Sequence, residues 1–191
     1  MNICVYGASS NKLDKEYIAA GERLGEEIAK KGHTLVFGGG AQGLMGAAAR
    51  GADAAGGKII GVAPTFFNVD GILYEHCTEF IYTETMRERK QKMEDLSDAF
   101  VMTPGGIGTF EEFFEIFTLK QLGRHKKPIA VLNTNGYFDN LLAQLQTAVK
   151  EDFMKENCLK LYSVCSSPDE VIKALETEPV ESGGVIKYKN I

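Results

Sequence analysis

The chain has no tryptophan, and its 191 residues include only three histidines, four cysteines and five prolines. His33, His76 and His125 are far apart and none pairs at ligand spacing, so the sequence offers no metal site. Cys4, Cys77, Cys158 and Cys165 form no CxxC pair. Cys4 and Cys165 sit in apolar runs, where a reduced thiol behaves as a small hydrophobe. No apolar run reaches the ~18 residues of a membrane span, and no basic-then-apolar signal segment precedes the first apolar run. The expectation is a cytoplasmic chain with no membrane partner. A GKS or GKT sequence is missing, which excludes a Walker A loop, and Ser9 and Ser10 lack a GxSxG elbow. The net charge of −5, with no basic stripe carrying interleaved aromatics, argues against a nucleic-acid partner.

What is present reads as one well-buried α/β domain over residues 1–177, followed by a tail over 178–191 with no helical pattern. Short apolar runs predict seven strands: Ile3–Tyr6, Thr34–Phe37, Lys58–Val62, Glu79–Tyr82, Ala99–Met102, Pro128–Leu132 and Lys160–Cys165. Helical spacing separates most of them, with Leu13, Tyr17, Leu24 and Ile28 on one face and Phe138, Leu141, Leu142 and Leu145 on another. Near-continuous apolar strands alternating with helices predict a parallel sheet covered on both sides, a Rossmann-like doubly wound fold. Ligands bind such sheets beyond the C-terminal strand ends. Three loops fall there: Gly7–Ser10, Gly38–Gly43 and Pro104–Thr109.

The last loop is the richest. Gly105, Gly106, Ile107, Gly108 and Thr109 follow an apolar strand and open an amphipathic helix. Glycine backbone and unpaired helix N–H groups make a cradle for an anion, which predicts phosphate binding. Glu112 stands beside it, at the edge of the face formed by Phe113, Ile116 and Phe117. Thr109 and Glu112 also have the spacing of a capping box, so structural and catalytic readings of Glu112 both stand. Gly38, Gly40 and Gly43 spell GxGxxG, but the next strand ends Gly61-Val62-Ala63-Pro64 without the acidic residue that holds a ribose. A nicotinamide-dependent oxidoreductase is correspondingly disfavoured. Ser9 reads as a helix-cap or phosphate contact.

A second constellation runs from Met86 to Met93. Met86, Met93 and Leu96 mark an inward stripe on which Arg89 and Lys90 also project, whereas Arg87, Glu88, Gln91 and Asp95 point away. Inward cations need an anionic partner, either a structural carboxylate or a ligand phosphate, and Arg89 suits a bidentate contact. Phe110, Phe113, Phe114 and Phe117 crowd one helix beyond the needs of a single core, so either the helix is buried on several sides or part of it meets a second subunit; a two-fold homodimer, the commonest closed assembly, is the favoured reading.

These residues resemble a known family. Pro104–Glu112 is similar to the PGGxGTxxE signature of the LOG ("Lonely Guy") family, and Met86–Met93 to its MHxRKxxM motif. The resemblance spans about residues 2–176 and includes Tyr6–Ser10, Val36–Gly40, Gly43–Gly46 and Gln121–Gly123. It implies a Rossmann-like homodimer without a cofactor that acts as a cytokinin riboside 5′-monophosphate phosphoribohydrolase. It also implies a catalytic pair at Arg89 and Glu112, with Lys90, Gly106–Thr109 and Thr118 contacting a nucleotide. Arg87 stands where the family has histidine, and Asp70 is the nearest match to its acidic substrate contact. The implied reaction splits a purine nucleoside 5′-monophosphate, AMP or an N6-modified AMP, into base and ribose 5-phosphate. The alternative is a non-catalytic nucleotide or cofactor carrier on the same scaffold. No pyridoxal-phosphate lysine signature supports the decarboxylase label often attached to such chains.

Overall fold

The computed structural model describes residues 1–177. The stretch 178–191, read above as a tail, lies outside the described residues. Seven parallel strands form one sheet: β1 (Asn2–Tyr6), β2 (Thr34–Phe37), β3 (Lys58–Pro64), β4 (Glu79–Thr83), β5 (Ala99–Met102), β6 (Ile129–Leu132) and β7 (Ser163–Cys165). Their spatial order is β4-β3-β2-β1-β5-β6-β7, so the winding direction reverses between β1 and β5. Register there pairs Ile3 with Ala99 and Tyr6 with Met102. A reversal of this kind leaves a crevice beyond the strand ends.

Alternating side chains feed two cores. Ile3, Val5, Leu35, Phe37 and Val101 face α1 (Lys15–Lys30), α2 (Gly43–Ala54) and α6 (Pro168–Thr177). Cys4, Tyr6, Val36, Phe100 and Met102 face α3 (Met86–Leu96), α4 (Ile107–Gln121) and α5 (Asp139–Lys150). Burial on both sides explains the near-continuous apolar runs. Helices α1 and α2 approach closely: a β-carbon on Gly25 would lie 1.9 Å from the Ala48 carbonyl oxygen. Asp14 caps α1 by accepting from the Glu16 N–H at 3.0 Å.

Some sequence expectations shift. Residues 160 and 161 belong to a 3₁₀ segment, Glu156–Leu161, and the last strand starts only at Ser163. That segment, with Tyr162, supplies what the phenylalanine-rich helix requires. Phe113 and Phe117 meet the Tyr162 ring edge-on, and Phe110 meets Phe138. The crowding therefore has partners within the chain. Leu13 precedes α1 instead of lying on its face.

Candidate active site

The crevice at the β1/β5 reversal is a cleft of about 650 Å³. Its first wall comes from the loop after β1. The Ala8 N–H donates to the Pro104 carbonyl at 3.1 Å, and the Ala8 carbonyl accepts from the Leu44 N–H at 2.8 Å. One residue thus ties together the loops after β1, β2 and β5. Thr103 strengthens the tie by donating its hydroxyl to the Tyr6 carbonyl at 2.8 Å. In the GxGxxG stretch the left-handed conformation falls on Gly39 and Gly43, with φ of 76° and 62°. Gly43 lets backbone approach backbone, since a β-carbon there would lie 2.4 Å from the Ala8 carbonyl oxygen, whereas one on Gly39 would meet the Phe80 ring at 2.7 Å.

The second wall is the start of α4. Gly106 is the N-cap, so Ile107, Gly108 and Thr109 present the first three helical amides, which have no partner inside the helix. All four line the cleft, and Ile107 is 82% exposed. Gly105 lies beneath, buried. A β-carbon there would sit 2.1 Å from Thr109 Oγ1, so only glycine lets the turn close over that hydroxyl. The Gly105 carbonyl also accepts from the Tyr137 hydroxyl at 2.7 Å. The helix starts a turn earlier than a Thr109–Glu112 capping box requires, and Glu112 is therefore free of capping duty. The capping box of this region is on α3, where Thr85 and Glu88 satisfy each other's N–H groups.

Released from the backbone, Glu112 meets Arg89. Nη1 of Arg89 lies 2.8 Å from Oε1 of Glu112, with only 7% and 9% of their side chains exposed. Arg89 Nε donates to the Val62 carbonyl at 3.2 Å. That carbonyl lies near the strand end where a dinucleotide fold carries an acidic residue. The guanidinium fits only because residue 38 is glycine, whose β-carbon would lie 1.9 Å from Nη2. Burial pushes the Glu112 pKa above the ordinary carboxylate value, with Arg89 opposing the shift. On the same side of the sheet, burial pushes the Cys4 thiol up to about 12 and the Tyr6 phenol well above its usual value. Both stay protonated.

The remaining lining is mostly apolar, Met45, Phe67, Ile72, Leu73 and Met86, with the polar Gln42 and Glu111 among it. Met86 was expected in the inward stripe, but as the first residue of α3 it overhangs the cleft and is 41% exposed. Met93 does lie inward, fully buried.

The structure gathers Ser9, Gly40, Arg89, Gly106–Thr109 and Glu112 into one cleft. Three other sequence candidates lie elsewhere. Lys90 bonds to Glu111 and lies 3.0 Å from Glu115. Burial works against its charge, but those carboxylates outweigh it and hold its pKa above the ordinary lysine value. Thr118 is exposed further along α4. Asp70 is exposed beside a separate hollow of about 280 Å³ lined by Tyr74, Phe80 and Tyr82. Sequence reasoning missed Gly38 as the seat of Arg89, because its place in GxGxxG carries no sign of a side chain from another element.

A family described as "Possible lysine decarboxylase" matches residues 45–175. The cytokinin riboside 5′-monophosphate phosphoribohydrolase LOG of Oryza sativa subsp. japonica is 37% identical over 174 residues, 91% of this chain and 72% of that protein. The chain belongs to the LOG family. The cytokinin riboside 5′-monophosphate phosphoribohydrolase LOG5 of Arabidopsis thaliana is 35% identical over 188 residues, covering 98% of this LOG-family chain and 82% of the relative. Among solved structures, the Moco carrier protein of Chlamydomonas reinhardtii shares the fold, with a TM-score of 0.68 at 25% identity over 92% of this chain and 94% of that one. Among the described residues lining the cleft there is no lysine. No described helix is long and apolar enough to cross a membrane.

Proposed function

We propose that this LOG-family chain is a phosphoribohydrolase that cleaves the N-glycosidic bond of AMP or N6-modified AMP, including cytokinin riboside 5′-monophosphates. The observation that carries the reading is the buried Arg89–Glu112 pair opening into the same cleft as the first amides of α4.

The 5′-phosphate docks on the amides of Ile107, Gly108 and Thr109, where aligned N–H groups and the helix dipole favour an anion. This contact uses charge common to every nucleotide, so it positions the ribose without selecting the base. The apolar residues Met45, Phe67, Ile72, Leu73 and Met86 offer a surface for the purine and an apolar N6 substituent. As the C1′–N9 bond breaks, positive charge develops on the sugar. Glu112, a carboxylate in a desolvated site, stabilises that charge and takes a proton from the attacking water, whose oxygen bonds to C1′. The departing base takes up a proton from solvent. Arg89 orients Glu112 and offsets part of the cost of its burial. We also assign the chain a homodimeric state, the commonest closed assembly, and a cytoplasmic location.

Base release followed by chromatography from AMP, N6-isopentenyl-AMP, GMP and CMP tests the reading. Release of adenine or its N6-modified form by the wild type, lost in Glu112→Gln, supports it. The likeness to Moco carriers favours one other reading, a carrier that binds without cleaving. Tight nucleotide binding with no base release would establish that instead.

A further inference from the structure

The apolar side of the cleft is not built on a short connection. Residues from Thr65 to Thr78 join β3 to β4 and contain only a single 3₁₀ turn, Thr65–Phe67. Long connections of this kind are mobile unless something moors them. Here the mooring is specific. The Ala41 N–H donates to the Ile72 carbonyl and the Tyr74 N–H to the Gly39 carbonyl, each at 2.9 Å, and Gly40 bridges Leu73 in an antiparallel pair. Side chains then clamp the strip from outside the cleft. Asp53, on α2, accepts from the Tyr74 hydroxyl at 2.8 Å and lies 2.9 Å from Nδ1 of His76. The Tyr74 ring meets Phe37 edge-on. These two hydrogen bonds hold the Asp53 carboxylate below its ordinary pKa, while burial and then Asp53 push the Tyr74 phenol up to about 12. The partners are therefore an anion and a neutral donor at neutral pH, a charge-assisted contact.

We propose that Asp53 and Tyr74 form a latch that fixes the position of Ile72 and Leu73, and thereby sets how strongly the cleft prefers a nucleotide with an apolar N6 substituent over AMP. The inference rests on the reading of the cleft as a purine nucleotide site. Neither Asp53 nor Tyr74 lines the cleft, so both are positioning residues. Nothing in the latch touches Arg89, Glu112 or the α4 amides, and AMP keeps the purine contacts at Met45 and Met86, which stand on helices outside the latched strip, so the unsubstituted nucleotide depends on it less.

Tyr74→Phe removes one hydroxyl and keeps the ring, and Asp53→Asn keeps the shape and removes the charge. In both variants kcat for AMP stays at the wild-type value. KM for N6-isopentenyl-AMP rises about fivefold while KM for AMP moves little. The ratio of the two dissociation constants, measured by calorimetry, shifts by the same factor. Equal losses on both nucleotides, or an unchanged ratio, would overturn the latch. Should the wild type release no base at all, the hydrolase reading falls. The ratio of dissociation constants still decides the latch in that case.

Discussion

Gly38 and Arg89 share one space: a β-carbon on Gly38 would lie 1.9 Å from Nη2 of Arg89. The arginine is pinned on its other side by the Val62 carbonyl and Glu112, so it has no alternative seat within the cleft. Gly38→Ala therefore displaces the guanidinium while the sheet below stays intact. The expected loss in kcat/KM is about a hundredfold, with an unchanged circular dichroism spectrum. Full activity in the alanine variant would mean that the seat of Arg89 is unimportant.

Replacing Glu112 by glutamine keeps the size and the hydrogen bond to Arg89 but removes the proposed base. Turnover should fall by about a thousandfold or more, with the dissociation constant for AMP changed by less than about threefold. Single-turnover base release and calorimetry on one preparation separate the two effects.

The pH profile follows from the same pair. Burial favours the protonated form of Glu112, whereas the role proposed for it needs the carboxylate. Activity is thus present above a raised pKa and lost as pH falls through it, so the acid limb of kcat/KM stands above the ordinary carboxylate value. Arg89 opposes that shift, and Arg89→Gln moves the limb further up. A limb at the ordinary value in both proteins would separate Glu112 from the proton transfer.

Gly105→Ala tests the phosphate cradle alone. Its β-carbon would lie 2.1 Å from Thr109 Oγ1 and 3.1 Å from the Ala8 nitrogen, forcing the turn open. KM for every nucleotide should rise about tenfold, with kcat less affected, because the lost contact is made equally in ground and transition states.

His125 gives a pH signature remote from the cleft. Its Nε2 donates to the Ile116 carbonyl at 2.8 Å, and Nδ1 accepts from the Lys127 N–H at 3.1 Å. Burial lowers its pKa from 6.5 to about 4. The unfolded chain therefore binds the proton first. The stability it contributes is complete above the unfolded value and is lost as pH falls toward the folded one. The loss is on the order of 2 kcal/mol. Urea unfolding at about pH 7.5 and about pH 5 should show it, and His125→Asn should reduce the difference.

Much of this was legible in the residues alone. Strands buried on both faces announce themselves as unbroken apolar runs, and the helical phase of Arg89 and Glu112 placed both inward. Met86 misled because, as the first residue of α3, it lines the cleft instead of joining the core. Thr109 and Glu112 have capping-box spacing, but the glycine at 106 starts the helix sooner and frees both. The pairing of Tyr74 with Asp53 joins a loop to a helix 21 residues away, and no periodic pattern records such a contact. Gly38 beneath Arg89 is equally silent, since the reason for the glycine is a side chain from another element.

The seven-stranded layout separates two kinds of residue by the connection that carries them. The acid, its arginine and the anion cradle stand on helices rooted at the sheet, whereas much of the apolar lining belongs to one removable stretch between Thr65 and Thr78. On the proposed reading such a layout is modular: replacing that single stretch is expected to change which base is accepted while Arg89, Glu112 and the α4 amides keep their places.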